Sequence, residues 1–300
     1  MKRKSLLRKA VNSPNGSLML FVFPFLLLFM VFFFIPFLYG FFMSFTNSNG
    51  FTPAFDFVGM KNYMEMFRED PKFYNSLGLT ILFSLVSVVL GNVLAMILAF
   101  AIESGAKLKN MFRTMYFLPY VFALVIVGFT WKFIFTQFLP QAGNLLHLGF
   151  LNQDWIGSPG LAIWSAVIMQ IWYNIGYYLV IYIAGIQAVD TSMMEAARID
   201  GAGTWNLYVK VMIPLLIPSI TVCAFTGIAS SFKAFDSILS LTGGGPGFAT
   251  EVLALNIYYD SMGDAQRYGY GMAKAMVLAL IIFIITMIQL KFFQKREVEA

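Results

Sequence analysis

The sequence predicts an all-α fold: a polytopic transmembrane helical bundle of about six spans. Three observations lead there. Hydrophobic residues fill 59% of the 300 positions and charged residues only 12%, with a mean hydropathy of +0.74. In a soluble domain Asp, Glu, Lys and Arg make up about 25% of the chain, so half that share leaves an exterior that must face lipid. Apolar runs of the ~20 residues that a helix needs to cross a ~30 Å hydrocarbon layer recur along the chain. Lys and Arg are also distributed unequally between the segments that flank those runs.

The first run, 18–45, follows Met1-Lys2-Arg3-Lys4 and holds 28 residues, chiefly Phe and Leu. A secretory signal has an apolar core of roughly 7–15 residues and a small-residue cleavage site, so this run reads as a retained span. Pro24 and Pro36 predict that it kinks or extends beyond the lipid. Further windows lie at 77–102, 115–138, 161–189, 209–232 and 272–293. The expected organisation is a cytoplasmic N-terminal segment 1–17, a membrane domain 18–293 with a cytoplasmic loop at 190–208, and a cytoplasmic tail 294–300.

With the N-terminus inside, the inner segments carry 13 Lys and Arg, among them Lys2, Arg3, Lys4, Lys107, Lys109 and Arg113. The outer segments carry 7, among them Lys61, Lys132 and Lys274, although they are longer. This positive-inside bias predicts a multi-pass protein of the cytoplasmic (inner) membrane with both termini in the cytoplasm. The net charge of +5 is thereby explained by contact with membrane lipid, and no nucleic-acid partner is called for.

Chemistry-bearing residues are scarce. One cysteine, Cys223, precludes an intrachain disulfide, and one histidine, His147, leaves too few ligands for a His/Cys metal site. A membrane enzyme would need clustered His, Asp, Glu or Cys, which argues against catalysis. No Asp, Glu, Lys, Arg or His falls between Leu77 and Ile102, Trp155 and Val189, or Val211 and Phe232. Proton relays depend on such groups; a stand-alone secondary transporter or channel for a neutral solute remains as the alternative reading. The polar interior is instead uncharged: Asn92, Gln170, Trp172, Tyr173, Asn174, Tyr177, Tyr178, Ser230 and Ser231. Amides beside aromatic rings suit a neutral, hydroxyl-rich solute, and each can equally bond a neighbouring helix. Gln170, Asn174 and Tyr177 recur at helical spacing on one face.

The loop after the fourth run reads Asp190-Thr-Ser-Met-Met-Glu-Ala-Ala-Arg-Ile-Asp-Gly-Ala-Gly-Thr-Trp205 and continues to Pro214. Ser192 with Glu195 can form a capping box, with Asp190 as the alternative cap. Gly201 or Gly203 can take the left-handed conformation that ends a helix, and Thr204 can cap the next. The product is a short cytoplasmic helix with Ala196 and Ala197 on its surface, ringed by Glu195, Arg198 and Asp200. Such a helix serves as a docking knob or as an ordinary interfacial helix.

This stretch resembles the signature of ATP-binding-cassette (ABC) importer permeases: Glu-Ala-Ala, three residues, Gly, nine residues, then Ile-x-Leu-Pro. Glu195, Ala196, Ala197, Gly201 and Pro214 match, Val211 and Ile213 replace the aliphatic pair, and Asp190 stands where sugar-importer relatives carry Pro. A second stretch, Leu241-Thr-Gly-Gly-Gly-Pro-Gly247 with Thr250-Glu251, Tyr258-Tyr259 and Tyr268-Gly-Tyr-Gly-Met-Ala-Lys274, is similar to the outer loop and last span of carbohydrate permeases. The likeness is to the maltose/glycerol-phosphate type. The tail Lys291-Phe-Phe-Gln-Lys-Arg296 lacks the Gly-x-x-Lys-Gly-like end of one partner type, which points to the first-permease side of the pair.

The resemblance implies a type I importer permease that works with a second permease, two cytoplasmic ATP-binding subunits and an extracellular or periplasmic solute-binding protein to import a sugar. The chain has no Walker sequence, so ATP belongs to the partner subunits and no cofactor is expected here. By the same resemblance, Glu195, Ala196, Ala197, Arg198, Asp200 and Gly201 couple to the ATPase. Tyr120, Gln170, Tyr173, Asn174, Tyr177, Ser230 and Ser231 line the solute pathway.

Overall fold

The computed structural model describes residues 14–105, 107–263 and 265–294. Residues 1–13 of the expected N-terminal segment and 295–300 of the expected tail lie outside them. Among the described residues, four helices are long and apolar enough to cross a membrane unbroken: span one, Phe21–Met43; span two, Pro71–Glu103; span four, Pro159–Ala188; and span six, Tyr268–Phe292. Spans three and five are bent pairs. Lys109–Val121 and Leu124–Leu146 meet at 100°, and Thr204–Leu215 and Ile217–Phe232 at 67°. The windows 115–138 and 209–232, read from sequence as single runs, thus each contain a break.

Both breaks have local causes. Phe122 and Ala123 are extended, with ψ of 148° and 136°, which stops the helix two residues beyond the start of its final turn at Pro119. In span five Leu216 sits at φ −87°, ψ 3°, and Pro218 follows two residues later. Proline lacks the N–H of the helical ladder and its ring crowds the carbonyl four residues back. Three prolines elsewhere are accommodated by widening. A π-helical segment precedes each of them: Met30–Phe34 before Pro36, Ile134–Phe138 before Pro140, and Leu207–Met212 before Pro214. In every case the residue four back from the proline, Phe32, Thr136 or Lys210, lies inside the widened turn. An i→i+5 turn relieves the clash without breaking the helix.

The chain divides into two compact units. In the first, residues up to Met66 join 260–276. The segment after span one folds back through a single bridge between Thr46 and Phe57, and the amide of Asn62 donates to the carbonyls of Ser44 (2.8 Å) and Thr46 (2.9 Å). The start of span six joins this loop, with Gly269 N donating to Ser48 O at 2.9 Å. Lys274 was assigned from sequence to the outer flank of the last span; it lies inside the helix at 1% exposure. Asp260 at 2.5 Å and the Tyr270 ring at 4.8 Å balance its charge, as a cation removed from water requires. Arg267 pairs with Glu65 at 2.6 Å. Within the chain, the apolar window of span one is exposed throughout, and burial begins only near its end, at Gly40 and Met43.

The second unit holds spans two to five and residues 277–294. Span two packs along span four in two apolar clusters. One, toward the Pro71 end, joins Phe83, Val127, Phe135, Ala166, Val167 and Ile238. The other, toward Glu103, joins Ala95, Ala99, Ile102, Leu179, Tyr182 and Ile183. Small residues set the closest approaches, as they do between membrane helices generally. At Gly176 of span four, a Cβ would run into the backbone carbonyl of Tyr116 in span three. Gly176→Ala is therefore expected to lower the unfolding temperature of the detergent-purified protein, by a destabilisation of ~1–3 kcal/mol. Gly160→Ala, in open space at the start of the same span, is the control and should leave it unchanged.

Candidate functional site

The loop between spans four and five carries a helix, Thr191–Ile199, with no buried residue. Its start differs from the capping box that the sequence allowed. The Asp190 carboxylate reaches the N–H of Ser192 at 2.9 Å, so the helix begins at Thr191 and Ser192 falls inside it. That hydrogen bond holds the Asp190 carboxyl below the usual carboxylate range. At the other end Gly201 takes φ +83°. Its N–H bonds Arg198 O, and Ala202 N bonds Ala197 O, both at 3.0 Å, which is the paired closure of a Schellman motif. Gly203, the alternative terminator, is extended (φ −66°, ψ 162°) and itself caps the next helix, whose first residue is Thr204. Thr204 is thus not the cap. Glu195, Ala196, Arg198, Asp200 and Gly201 are exposed and Ala197 is half-buried. Beside them stand two apolar residues that the sequence reading passed over, Ile199 and Trp205, 85% and 78% exposed.

Of the residues assigned to a solute pathway, three tyrosines come together. Tyr120, on the first half of span three, stacks on Tyr177 of span four at 4.8 Å between ring centroids and 18° between planes. Tyr173 lies 5.1 Å from Tyr120 and donates its hydroxyl to Tyr120 O at 3.2 Å. Gln170 and Asn174 occupy the buried face of span four, each 4% exposed. Ser230 is exposed and its hydroxyl returns to Gly227 O at 3.0 Å, so its own helix engages it. Ser231 is fully buried with no hydrogen-bond partner for its hydroxyl. Asn92 accepts from the Tyr182 hydroxyl at 2.7 Å and donates to Val88 O, which makes it a tie between spans two and four.

A cavity of about 570 Å³ opens beside the tyrosine cluster, lined by Leu94, Phe112, Tyr116, Trp131, Ile168 and Trp172 among others. Its walls are almost wholly apolar and include none of the assigned polar residues. Its lining side chains carry polar atoms only at Tyr116, Trp131 and Trp172, few for a hydroxyl-rich solute. The glycine-rich stretch 243–247 is a tight turn with positive φ at Gly243, Gly244 and Gly247. The Thr242 and Thr250 hydroxyls, 2.6 Å apart, close it, and Tyr259 Oη donates to Gly243 O at 2.9 Å; burial raises the Tyr259 phenol above its ordinary value. Sequence reading also missed a charged knot. Glu103 at the end of span two receives Lys109, Arg113 and Gln187. The signal was present as one acidic residue followed six and ten residues later by basic ones, counted only for orientation.

Long apolar helices that carry an exposed, glycine-terminated loop helix put this chain in the class of transporter membrane subunits. Residues 91–298 match the family described as binding-protein-dependent transport system inner membrane component, and the chain belongs to that family. It is a transport component and not an enzyme. Over 280 residues it is 39% identical to the probable starch degradation products transport system permease protein AmyD of Thermoanaerobacterium thermosulfurigenes, covering 93% of this chain and 94% of the relative. Over 259 residues it is 35% identical to the multiple sugar-binding transport system permease protein MsmF of Streptococcus mutans, covering 86% and 89%. A chain of a bacterial ABC transporter that imports the acidic polysaccharide alginate shares the fold at a TM-score of 0.79 and 21% identity, covering 96% of this chain and 98% of that one.

The Asp190 cap makes a pH-dependent expectation. Its carboxyl is lowered in the folded loop, so the stabilisation is present above the ordinary carboxylate range of about pH 4 and is lost as pH falls through the lowered value. Asp190→Ala should therefore speed amide exchange at Ser192 near neutral pH, whereas Asp190→Ser should retain most of the protection. Hydrogen exchange read by mass spectrometry on loop peptides checks both.

Proposed function

We propose that this chain is one of two pathway-forming permeases of an ABC importer that carries a sugar or oligosaccharide inward. The observation that carries the reading is the Glu195-Ala196-Ala197 to Pro214 signature within the matched family region, its Glu-Ala-Ala part borne on a helix with no buried residue. Two cytoplasmic ATP-binding subunits supply the energy by docking on residues 190–204. A knob with a small-residue surface at Ala196 and Ala197, charged at Glu195, Arg198 and Asp200, and flanked by exposed Ile199 and Trp205, suits a groove in a soluble protein. ATP is bound by those subunits and not by this chain. The excess of Lys and Arg on the same side as the loop supports cytoplasmic termini.

The names of the relatives, with starch degradation products and multiple sugars as their cargo, support a carbohydrate substrate. So does the chemistry of span four. The stacked rings of Tyr120 and Tyr177 offer faces for the C–H side of a sugar, and the amides of Gln170 and Asn174 offer hydroxyl partners one helical turn apart. A second permease completes the pathway, and an external binding protein delivers the solute; a structure related to this chain was solved with an alginate pentasaccharide-bound periplasmic protein. Docked ATPases closing on nucleotide move the loop helix, and packed helices switch between arrangements instead of deforming continuously.

Two tests follow, both on the complete complex in proteoliposomes. Gly201→Val forces a β-branched residue into the left-handed region, costing ~1–2 kcal/mol and lowering the docked population about fivefold or more. Co-purification of the ATPase subunits and uptake should both fall, and unchanged values for both would reject the docking role. Asn174→Ala and Tyr177→Ala should each slow uptake about tenfold through the loss of one ~1.5 kcal/mol polar or stacking contact, with assembly intact. Uptake of every sugar tried at the wild-type rate would remove these residues from the pathway.

A further inference from the structure

We propose that the last turn of span two, through Phe100 and Glu103, is the fulcrum that turns movement of the 191–199 helix into movement of spans two, three and four together. This rests on the docking reading above and adds residues that neither the signature nor the solute pathway includes.

The loop helix is a cantilever. No residue from Thr191 to Ile199 is buried and the helix packs chiefly on the start of span five, so a load on it enters the bundle mainly through its two roots. The first root is the end of span four, where Gln187 Nε2 donates to Glu103 Oε1 at 3.3 Å. The second is the start of span five, where the Tyr208 ring meets Phe100 at 4.7 Å between centroids. Both roots rest on the same helical turn, since Phe100 and Glu103 are three residues apart and share a face. The turn is firmly seated alongside: Ala99 and Ile102 are 0% and 5% exposed and pack with Tyr182 and Ile183 of span four.

Glu103 also recruits span three. Its carboxylate is 15% exposed and accepts from Arg113 Nη2 at 2.6 Å and Lys109 Nζ at 3.1 Å, while Lys109 also donates to the Glu103 carbonyl at 3.2 Å. A negative charge at a helix C-terminus is opposed by the helix dipole. An acidic residue there is stable because these donors surround it. A neutral residue would end span two just as well, but it would not bind two neighbouring segments, spans three and four, to one point. Glu103 and Phe100 are positioning residues: they touch neither solute nor nucleotide in this scheme, and they fix the loop roots to the spans.

The experiment uses the assembled complex, with partner permease, ATPase subunits and binding protein, in proteoliposomes. Glu103→Gln, Phe100→Ala and Gln187→Met are compared with wild type for ATPase co-purification, ATP hydrolysis and solute imported per ATP. The fulcrum predicts that the ATPases stay bound and hydrolysis continues, while import per ATP falls about fivefold or more. The exchange Glu103→Arg with Arg113→Glu should restore much of it, which a simple loss of packing would not. Wild-type import per ATP in all three variants overturns the proposal. So does a fall in the amount of assembled complex with normal import per ATP in what remains, because the turn is then only structural. Failure of the docking reading is separately visible, as ATPases that stay bound to Gly201→Val.

Discussion

A hydrocarbon interior supplies no water to an unpaired peptide group, and each one left open there costs several kcal/mol. That constraint dictates helices wherever this chain is apolar, and it also governs where the helices may deviate. Eleven prolines are spread through the sequence, and several lie within spans. Three are passed by widening the preceding turn, and at Leu216 the helix gives way instead. Even there Leu216 N keeps bonds to Met212 O at 3.0 Å and Ile213 O at 3.1 Å. Backbone satisfaction comes first, and the bends that shape spans three and five are its consequence.

Much of this architecture was legible in sequence, because hydropathy reports transfer into lipid directly. Four of the six apolar windows overlap unbroken helices, and the other two each overlap a bent pair. The 100° break in span three was not legible. It depends on extended conformations at Phe122 and Ala123, two ordinary apolar residues with no turn chemistry of their own. Lys274 was placed in a flank because a window average cannot see that Asp260, 14 residues away, pairs with it in the fold.

The candidate site was legible to different depths. The loop helix could be drawn from capping rules and a glycine, but the rules allowed two caps and two terminators. Geometry chose Asp190 and Gly201, since a carboxylate reaches the amide two residues on and leaves Ser192 inside the helix. The span-four pattern correctly put Gln170 and Asn174 on one face. It could not tell that Tyr120 would stack on Tyr177, nor that Asn92 would be occupied by Tyr182, because partners 57 and 90 residues apart are set by packing between helices. The Glu103 knot was visible only as charges near a span boundary. Its meaning depends on Gln187, a neutral residue with no sequence signal.

The widened turns before Pro36, Pro140 and Pro214 have a consequence for how such a protein changes over generations. Each stores one residue more than a regular helix of the same rise; in ordinary winding that residue would advance the downstream face by about 100°, and the widened turn absorbs it. Deleting a single codon within one of them returns the turn to ordinary winding, so the loss is taken up in one turn and the helix beyond keeps its facing. A membrane helix otherwise absorbs gain or loss of a residue poorly. Among the described residues the chain holds three internal sites where one extra residue is already accommodated.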